Sequence, residues 1–274
     1  MATRDIRDSV RDGYDQVVKD SKDSSCCGPA CCVGGDREKR ARDLGYSEID
    51  LADIPDEANL GLGCGNPTAI AALSPGEVVL DLGSGAGMDA FLAAAQVGDK
   101  GQVIGIDMTP SMLSRSRNLA TQKGVSEYVE FRRGYIEDLP VTSESVDVIL
   151  SNCVINLSPD KPAVFGEAYR VLKRGGRLAI SDICLTAPLP EILQQADAAY
   201  VGCISGALLA EEYEAAIKDA GFVDVTWTRT SAADLFDAIL SDPTLKSARE
   251  TMTDREAEET RNHLWSYKFS AVKS

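Results

Sequence analysis

The sequence predicts a doubly wound α/β fold, a mostly parallel sheet with helices on both faces. Three observations predict it. Short apolar runs rich in β-branched residues recur at 77–82, 102–106, 128–132, 145–151 and 177–182, the signature of strands buried on both faces. Helical segments at 88–97, 110–123 and 161–173 separate most of them, as repeated strand–helix units require. The first run closes on Asp81-Leu82-Gly83-Ser84-Gly85-Ala86-Gly87 and passes directly into a helix. Glycines at alternate positions permit that tight turn and let a ligand approach the backbone.

The elements follow in order. Ile6, Val10, Tyr14, Val17 and Val18 recur at helical spacing, which predicts an amphipathic helix covering something. Residues 21–35 are rich in Ser, Cys and Gly, and residues 36–74 read as irregular, with a loop over Asn59–Pro67. Pro110 suits the first helical position with Thr109 as cap. Gly175-Gly176 after a basic stretch reads as a helix C-cap. A helix over 208–220 stops at Gly221, a strand covers 222–229, and 267–273 alternates as a final strand. The chain divides into an N-terminal helix with a Cys-containing lid or loop (1–74), a central core (75–230), and a C-terminal helical segment with the last strand (231–274).

The chain has 274 residues, 44% of them hydrophobic, enough for one α/β domain with appendages. Against 43 Asp and Glu stand 28 Lys and Arg, a formal charge of −15. Such a surface repels phosphate backbones and anionic headgroups, so neither nucleic acid nor membrane is expected as a partner. No apolar run reaches membrane-spanning length. Met1–Asp8 alternates charges without an apolar stretch, so no secretory signal is read there and a cytoplasmic location is expected. In a reducing compartment eight cysteines point to thiolate chemistry or soft-metal binding, not to a disulfide framework.

The glycine turn narrows the ligand. A phosphate-cradling loop would need a terminal Gly-Lys-Ser/Thr, and Met88 stands where a dinucleotide fingerprint needs its third glycine. Asp107, twenty residues beyond Gly87 at the end of the second strand, can accept ribose hydroxyl protons. Asp81 is placed to influence an ammonium group. This pattern resembles the class I S-adenosylmethionine-dependent methyltransferases over about residues 75–230. The resemblance implies a Rossmann-like fold with an antiparallel last strand. It also implies that Asp81, Gly83, Gly85 and Gly87 hold the methionine part and Asp107 the ribose. Met108 would meet the adenine, Ile136 and Glu137 would flank its other side, and Asn152 would join this cofactor set. The residue-level alternative is a glycine turn required only for helix–sheet packing.

Cys64 lies in the glycine-rich loop, Cys153 just after the fourth strand, and Cys203 in the connection after the fifth. All three can reach the mouth of one pocket at the carboxyl edge of the sheet, where open α/β folds bind ligands. Cysteine is also a small buried hydrophobe, so each alone could be core. The stretches Cys64-Gly65-Asn66-Pro67 and Ser151-Asn152-Cys153-Val154-Ile155-Asn156-Leu157, with Gly105–Pro110 and Gly202–Ala207, resemble the arsenite methyltransferases. That family implies arsenic on Cys153 and Cys203, with Cys64 joining them, and the core is expected to include an arsenic-binding insert at about 184–207. It further implies an N-terminal cysteine in thiol–disulfide exchange. Cys32 is chosen from Cys26, Cys27, Cys31 and Cys32, without an alignment to decide among them.

The chemistry agrees. Trivalent arsenic is soft, takes three thiolates pyramidally and keeps a lone pair. That lone pair can attack a sulfonium methyl without a general base, and the single histidine, His263, reads as a bystander in a polar segment. Methylation oxidises arsenic to the pentavalent state. A cysteine pair returns two electrons by forming a disulfide, and an external thiol reductant of thioredoxin or glutathione type resets it. The expected partners are therefore arsenite, methylated trivalent arsenic species and that reductant. The four N-terminal cysteines could alternatively form half of a zinc site, although the chain offers no second close Cys/His pair. Two rival readings remain: a small-molecule methyltransferase with incidental cysteines, and a non-catalytic metalloid-binding protein. A nucleic-acid base methyltransferase would show Asn/Asp-Pro-Pro-aromatic after the fourth strand, where Ser151-Asn152-Cys153-Val154 stands.

Overall fold

A computed structural model describes residues 6–20, 37–194, 199–200, 202–241 and 245–274. Its frame is a seven-stranded sheet in the order β3-β2-β1-β4-β5-β7-β6. The strands are β1 (Val78–Leu82), β2 (Gln102–Asp107), β3 (Val129–Arg133), β4 (Val146–Asn152), β5 (Leu172–Leu185), β6 (Phe222–Ser231) and β7 (Leu264–Lys273). β1 to β5 pair in parallel, and β7 runs antiparallel between β5 and β6. This is the class I methyltransferase arrangement, with its antiparallel last strand.

Alternation along the strands feeds two cores. Leu80, Ile104, Ile149 and Ile180 point to one face, where Phe165 and Tyr213 pack. Their neighbours Val79, Val103, Val148 and Ala179 point to the other, against Phe91, Leu113 and Leu119. The covering helices include α1 (Ile6–Asp20), α2 (Arg37–Asp43), α3 (Glu48–Ala52), α4 (Thr68–Ala71), α5 (Met88–Val97), α6 (Pro110–Lys123) and α7 (Lys161–Val171). Among the described residues, no helix is long and apolar enough to cross a membrane.

Three local expectations change. Residues 37–71 hold short helices where irregular chain was expected, because Ala41, Tyr46, Ile54, Ala58 and Ala71 bury themselves against the second core. The helix before Gly175-Gly176 ends earlier, at Val171, and Leu172 is already extended. Gly175 (φ 77°) sits inside β5, whose pairing with β4 shifts register between Val146 and Val148. Thr109 stands at the N-cap of α6 without a side-chain cap bond; its N–H donates instead to Asp107 Oδ1 at 2.7 Å. The Ser/Cys/Gly-rich stretch 21–35, with Cys26, Cys27, Cys31 and Cys32, lies outside the described residues.

Candidate functional site

The strand order reverses between β1 and β4, and a cleft of about 1190 Å³ including its mouth opens at their carboxyl ends, where such sheets bind ligands. Its wall includes Asp81, Gly83, Gly85, Asp107, Met108, Ile136, Glu137 and Asn152. Of the residues expected to hold a cofactor, only Gly87 is absent from that wall. A side chain there would sit 2.8 Å from Phe91 and 2.9 Å from Phe131, so its glycine serves helix–sheet packing. Gly83 (φ 62°) is required on the cleft side: a Cβ would come within 2.3 Å of Val154. Asp107 ties the two loops together, accepting Gly85 N–H on Oδ2 (2.9 Å) and Thr109 N–H on Oδ1.

The cleft floor is acidic. Asp81 is buried, and its Oδ2 has no hydrogen-bond partner. Burial first, then the negative charges of Asp89 and Asp107, push its carboxyl well above the usual range. Burial also lifts Asp89 to about 6, against hydrogen bonds from Asn152 and Tyr46. A buried carboxylate with an orphaned oxygen beside two others demands a cation. The ammonium of an amino-acid ligand meets that demand, and the neighbouring buried Ser84 hydroxyl is equally without a partner. The residues present thus fit S-adenosylmethionine.

Asp89 and Tyr46 were not singled out in the sequence. Tyr46 O–H lies 2.8 Å from Asp89 Oδ1 and 3.0 Å from the Gly65 carbonyl. Asn152 Nδ2 reaches Tyr46 Oη, the Gly65 carbonyl and Asp89 Oδ2, all within 3.0 Å. Asn152 Oδ1 accepts the N–H of Cys64 at 3.1 Å, and Ser266 Oγ donates to the Cys64 carbonyl at 2.6 Å. Asn152 therefore holds the Cys64 loop onto the cleft floor.

The three cysteines converge beneath the cleft. Expectation put all of them at its mouth, but only Cys153 reaches the wall, and all three are buried in one apolar cluster that includes Val10 of α1 and against which Tyr14 packs. Cys64 and Cys153 are placed as a disulfide pair, Cα atoms 5.7 Å apart. The sequence named no Cys64–Cys153 pairing; the expectation was an N-terminal cysteine in thiol–disulfide exchange, and those cysteines lie outside the described residues. Cys203 is a free thiol whose S–H donates to the Cys153 carbonyl at 2.9 Å. Burial first, then Asp182, raises its pKa far above that of an exposed thiol, against a hydrogen bond from Tyr14 and the charge of Lys161.

Cys153 and Cys203 both sit on left-handed backbone, at φ 59° and φ 65°. Such conformations cost roughly 1–3 kcal/mol in a non-glycine residue and gather at functional sites. Cys153 N–H still extends the sheet, donating to the Ser181 carbonyl at 2.8 Å, before the chain turns into the short helix Ile155–Leu157. Around Cys203, Ile204 N–H bonds the Ala199 carbonyl and Cys203 N–H the Tyr200 carbonyl, both at 2.9 Å. That is a Schellman helix end with cysteine in the position glycine usually takes.

Asn156 and Asp182 lock the two turns. Asn156 Nδ2 donates to Asp182 Oδ1 (2.9 Å) and the Ile183 carbonyl (2.6 Å), with the Cys203 carbonyl at 3.5 Å. Asp182 Oδ1 also accepts Ile183 N–H, and Oδ2 accepts Asn156 N–H and Tyr213 O–H. Burial pushes Asp182 up to about 7, restrained by those bonds and by Lys161. One oxygen of Asp182 and the sulfurs of Cys64 and Cys153 lie within 4.8 Å of one another. A lone carboxylate ending an apolar strand at the ligand edge of the sheet was a readable signal for Asp182. His263 is away from all this, bonded through Nδ1 to Thr186 Oγ1 at 2.8 Å.

Comparison with known proteins gives the same fold and shows the family. Residues 73–221 match a family model described as a methyltransferase domain. An arsenite methyltransferase of Halobacterium salinarum is 48% identical over 81% of this chain and 59% of its own length. One from Aquipseudomonas alcaligenes is 36% identical over 86% and 68%. The crystal structure of an arsenic(III) S-adenosylmethionine methyltransferase from Chlamydomonas reinhardtii superposes with a TM-score of 0.65 at 31% identity, covering 86% of this chain and 73% of that one. The chain thus spans 59% of the haloarchaeal relative's length.

Proposed function

The chain belongs to the arsenite methyltransferase family, and from that premise we propose that it transfers methyl groups from S-adenosylmethionine to trivalent arsenic held on its own cysteines. One observation carries the reading. Three cysteines from distant parts of the chain meet at the end of β4, two of them on strained left-handed backbone, beside a cleft floored by buried carboxylates of which Asp81 keeps an unpartnered oxygen.

When bound, S-adenosylmethionine supplies an electrophilic methyl group. Asp81 and Asp89 would neutralise its ammonium, Asp107 would hold its ribose, and Met108, Ile136 and Glu137 would line its base. The thiols do the rest. Each thiol that binds arsenic exchanges S–H for S–As, and the displaced hydroxide leaves as water. Cys153 and Cys203 present two sulfurs, and Cys64 is the third ligand for arsenite. Their burial excludes water and would fix arsenic beside the cleft, which is the positioning that such a transfer needs.

The Cys64–Cys153 pair supports the redox half of the reading. Two thiolates that become a disulfide release two electrons, the number needed to return methylated pentavalent arsenic to the trivalent state. An external thiol, of thioredoxin or glutathione type, would then restore both, which suits a cytoplasmic setting.

The test is a two-substrate comparison of cysteine variants. Cys153→Ser and Cys203→Ser should each abolish methylation of arsenite and of monomethylated trivalent arsenic, because serine lacks the soft, ionisable sulfur. Cys64→Ser should lose arsenite methylation and keep activity on the monomethylated substrate, which has only two exchangeable positions. Full activity in Cys153→Ser or Cys203→Ser would overturn the reading.

A further inference from the structure

The acids that line the cleft, Asp81, Asp89, Asp107 and Glu137, share its wall with Arg7 and Arg40. Arg7 is engaged, its guanidinium 5.3 Å above the Tyr135 ring. Arg40 is not: among the described residues its guanidinium makes no ion pair, hydrogen bond or ring contact. The side chain is half-buried, and burial lowers its pKa with no carboxylate to offset the lost water. A guanidinium cannot shed its charge, so withdrawing one from water without an anion is costly.

The position of Arg40 in the fold decides which end of the cleft it serves. It stands on α2, where Ala41, with Leu44 just beyond, packs into the core cluster of Ala90, Phe91 and Met88 at the start of α5. Tyr46, on the turn that follows, donates to Asp89 Oδ1 at 2.8 Å. Asn59 Nδ2 donates to the Arg37 carbonyl at 3.2 Å and so ties the start of α2 to the glycine-rich loop. Across that loop, Arg40 Cδ lies 3.8 Å from where a Cβ on Gly61 would stand. These contacts hold Arg40 at the Asp89 end of the cleft. Asp81 there keeps an unpartnered oxygen that calls for a cation, while Arg40 calls for an anion, and no ion pair joins the two. A zwitterionic amino-acid group meets both demands at once.

We propose that Arg40 is the carboxylate-binding residue of the cofactor site: its guanidinium takes the methionine carboxylate of S-adenosylmethionine while Asp81 and Asp89 take the ammonium. The chain thereby selects its cofactor by both charges of the amino-acid end. This rests on the S-adenosylmethionine reading above. A planar guanidinium offers a carboxylate two parallel N–H donors, which adds geometric selectivity to charge.

The test is calorimetry on the full-length chain with three ligands. They are S-adenosylmethionine, its decarboxylated analogue, which keeps the ammonium and the sulfonium, and 5′-methylthioadenosine, which lacks the whole amino-acid end. Arg40→Gln keeps a polar side chain and removes the charge. It should weaken S-adenosylmethionine tenfold or more, the effect of losing a charge-assisted hydrogen bond. The other two ligands should stay within about twofold of their wild-type affinities. The wild-type chain should prefer S-adenosylmethionine to the decarboxylated analogue by about tenfold or more, and Arg40→Gln should lose that preference. Arg40→Lys should recover part of it, because an ammonium carries the charge without the fork.

Unchanged S-adenosylmethionine affinity in Arg40→Gln overturns the proposal and leaves the cofactor reading intact. Equal weakening of all three ligands also overturns it, since that marks Arg40 as a support of α2. A wild-type chain that binds none of the three overturns both the proposal and the cofactor reading.

Discussion

Replacing Asn156 with alanine removes the amide that joins the two cysteine turns. Its Nδ2 spends its two protons on Asp182 Oδ1 at 2.9 Å and the Ile183 carbonyl at 2.6 Å, with the Cys203 carbonyl a longer third contact. All of these groups are buried: Asn156 and Asp182 are fully enclosed. Two net hydrogen bonds at roughly 1 kcal/mol each, plus the cost of leaving a buried acceptor unmatched, amount to about 2–4 kcal/mol. Urea unfolding of the ligand-free chain measures that loss directly through the midpoint at constant slope. The cleft wall contains no Asn156 atom, so S-adenosylmethionine affinity should stay within about twofold while arsenical affinity falls tenfold or more. A stability loss below about 1 kcal/mol with unchanged arsenical binding would refute the role assigned to Asn156. An equal fall for both ligands would mean general loosening of the fold.

Further predictions concern the cofactor floor. Asp107→Ala removes the acceptor for Gly85 and Thr109 N–H as well as the ribose ligand, so S-adenosylmethionine affinity should drop tenfold or more by calorimetry, with arsenical binding unaffected. Unchanged cofactor affinity would take Asp107 out of the site. Asp89 is raised to about 6, and a bound cation favours its ionised form. Complex formation at pH 6 should therefore release protons, and affinity should rise as pH rises through about 6; binding heats that do not depend on the buffer would contradict this. In the ligand-free chain the same raised carboxyls, with Asp182 at about 7, bind more protons folded than unfolded above the ordinary Asp value. Stability should fall as pH rises from about 4 to 7, and thermal unfolding across that range reads the slope.

Much of the sheet and of the cleft wall could be read from the residues because their signals are local. The apolar runs gave the five parallel strands to within a few residues, and helices α5 and α6 match at both ends. Strand β5 ran longer than its apolar stretch because pairing with β7 carries it on to Leu185 and Leu172 pairs with Val146 of β4 at its start, contacts that only the folded chain reveals. Residues 37–71 hid their short helices, since such helices owe their stability to burial of Tyr46 and Ile54 and not to periodicity. The Cys64 loop and Asn152 meet across 88 residues of sequence, so no spacing rule could show that Asn152 serves the loop. Gly87 illustrates the reverse case: a residue of the motif whose glycine is demanded by Phe91 and Phe131.

The central claim is that arsenic on these thiols accepts a methyl group in the adjoining cleft. Reduced full-length chain incubated with arsenite, a thiol reductant and S-adenosylmethionine labelled in its methyl group, followed by arsenic speciation, tests it most directly. The account predicts label on methylated arsenic, with none formed when Cys153 or Cys203 is serine. Stoichiometric arsenite binding without any labelled arsenical would contradict it, leaving a metalloid-binding protein on a methyltransferase fold.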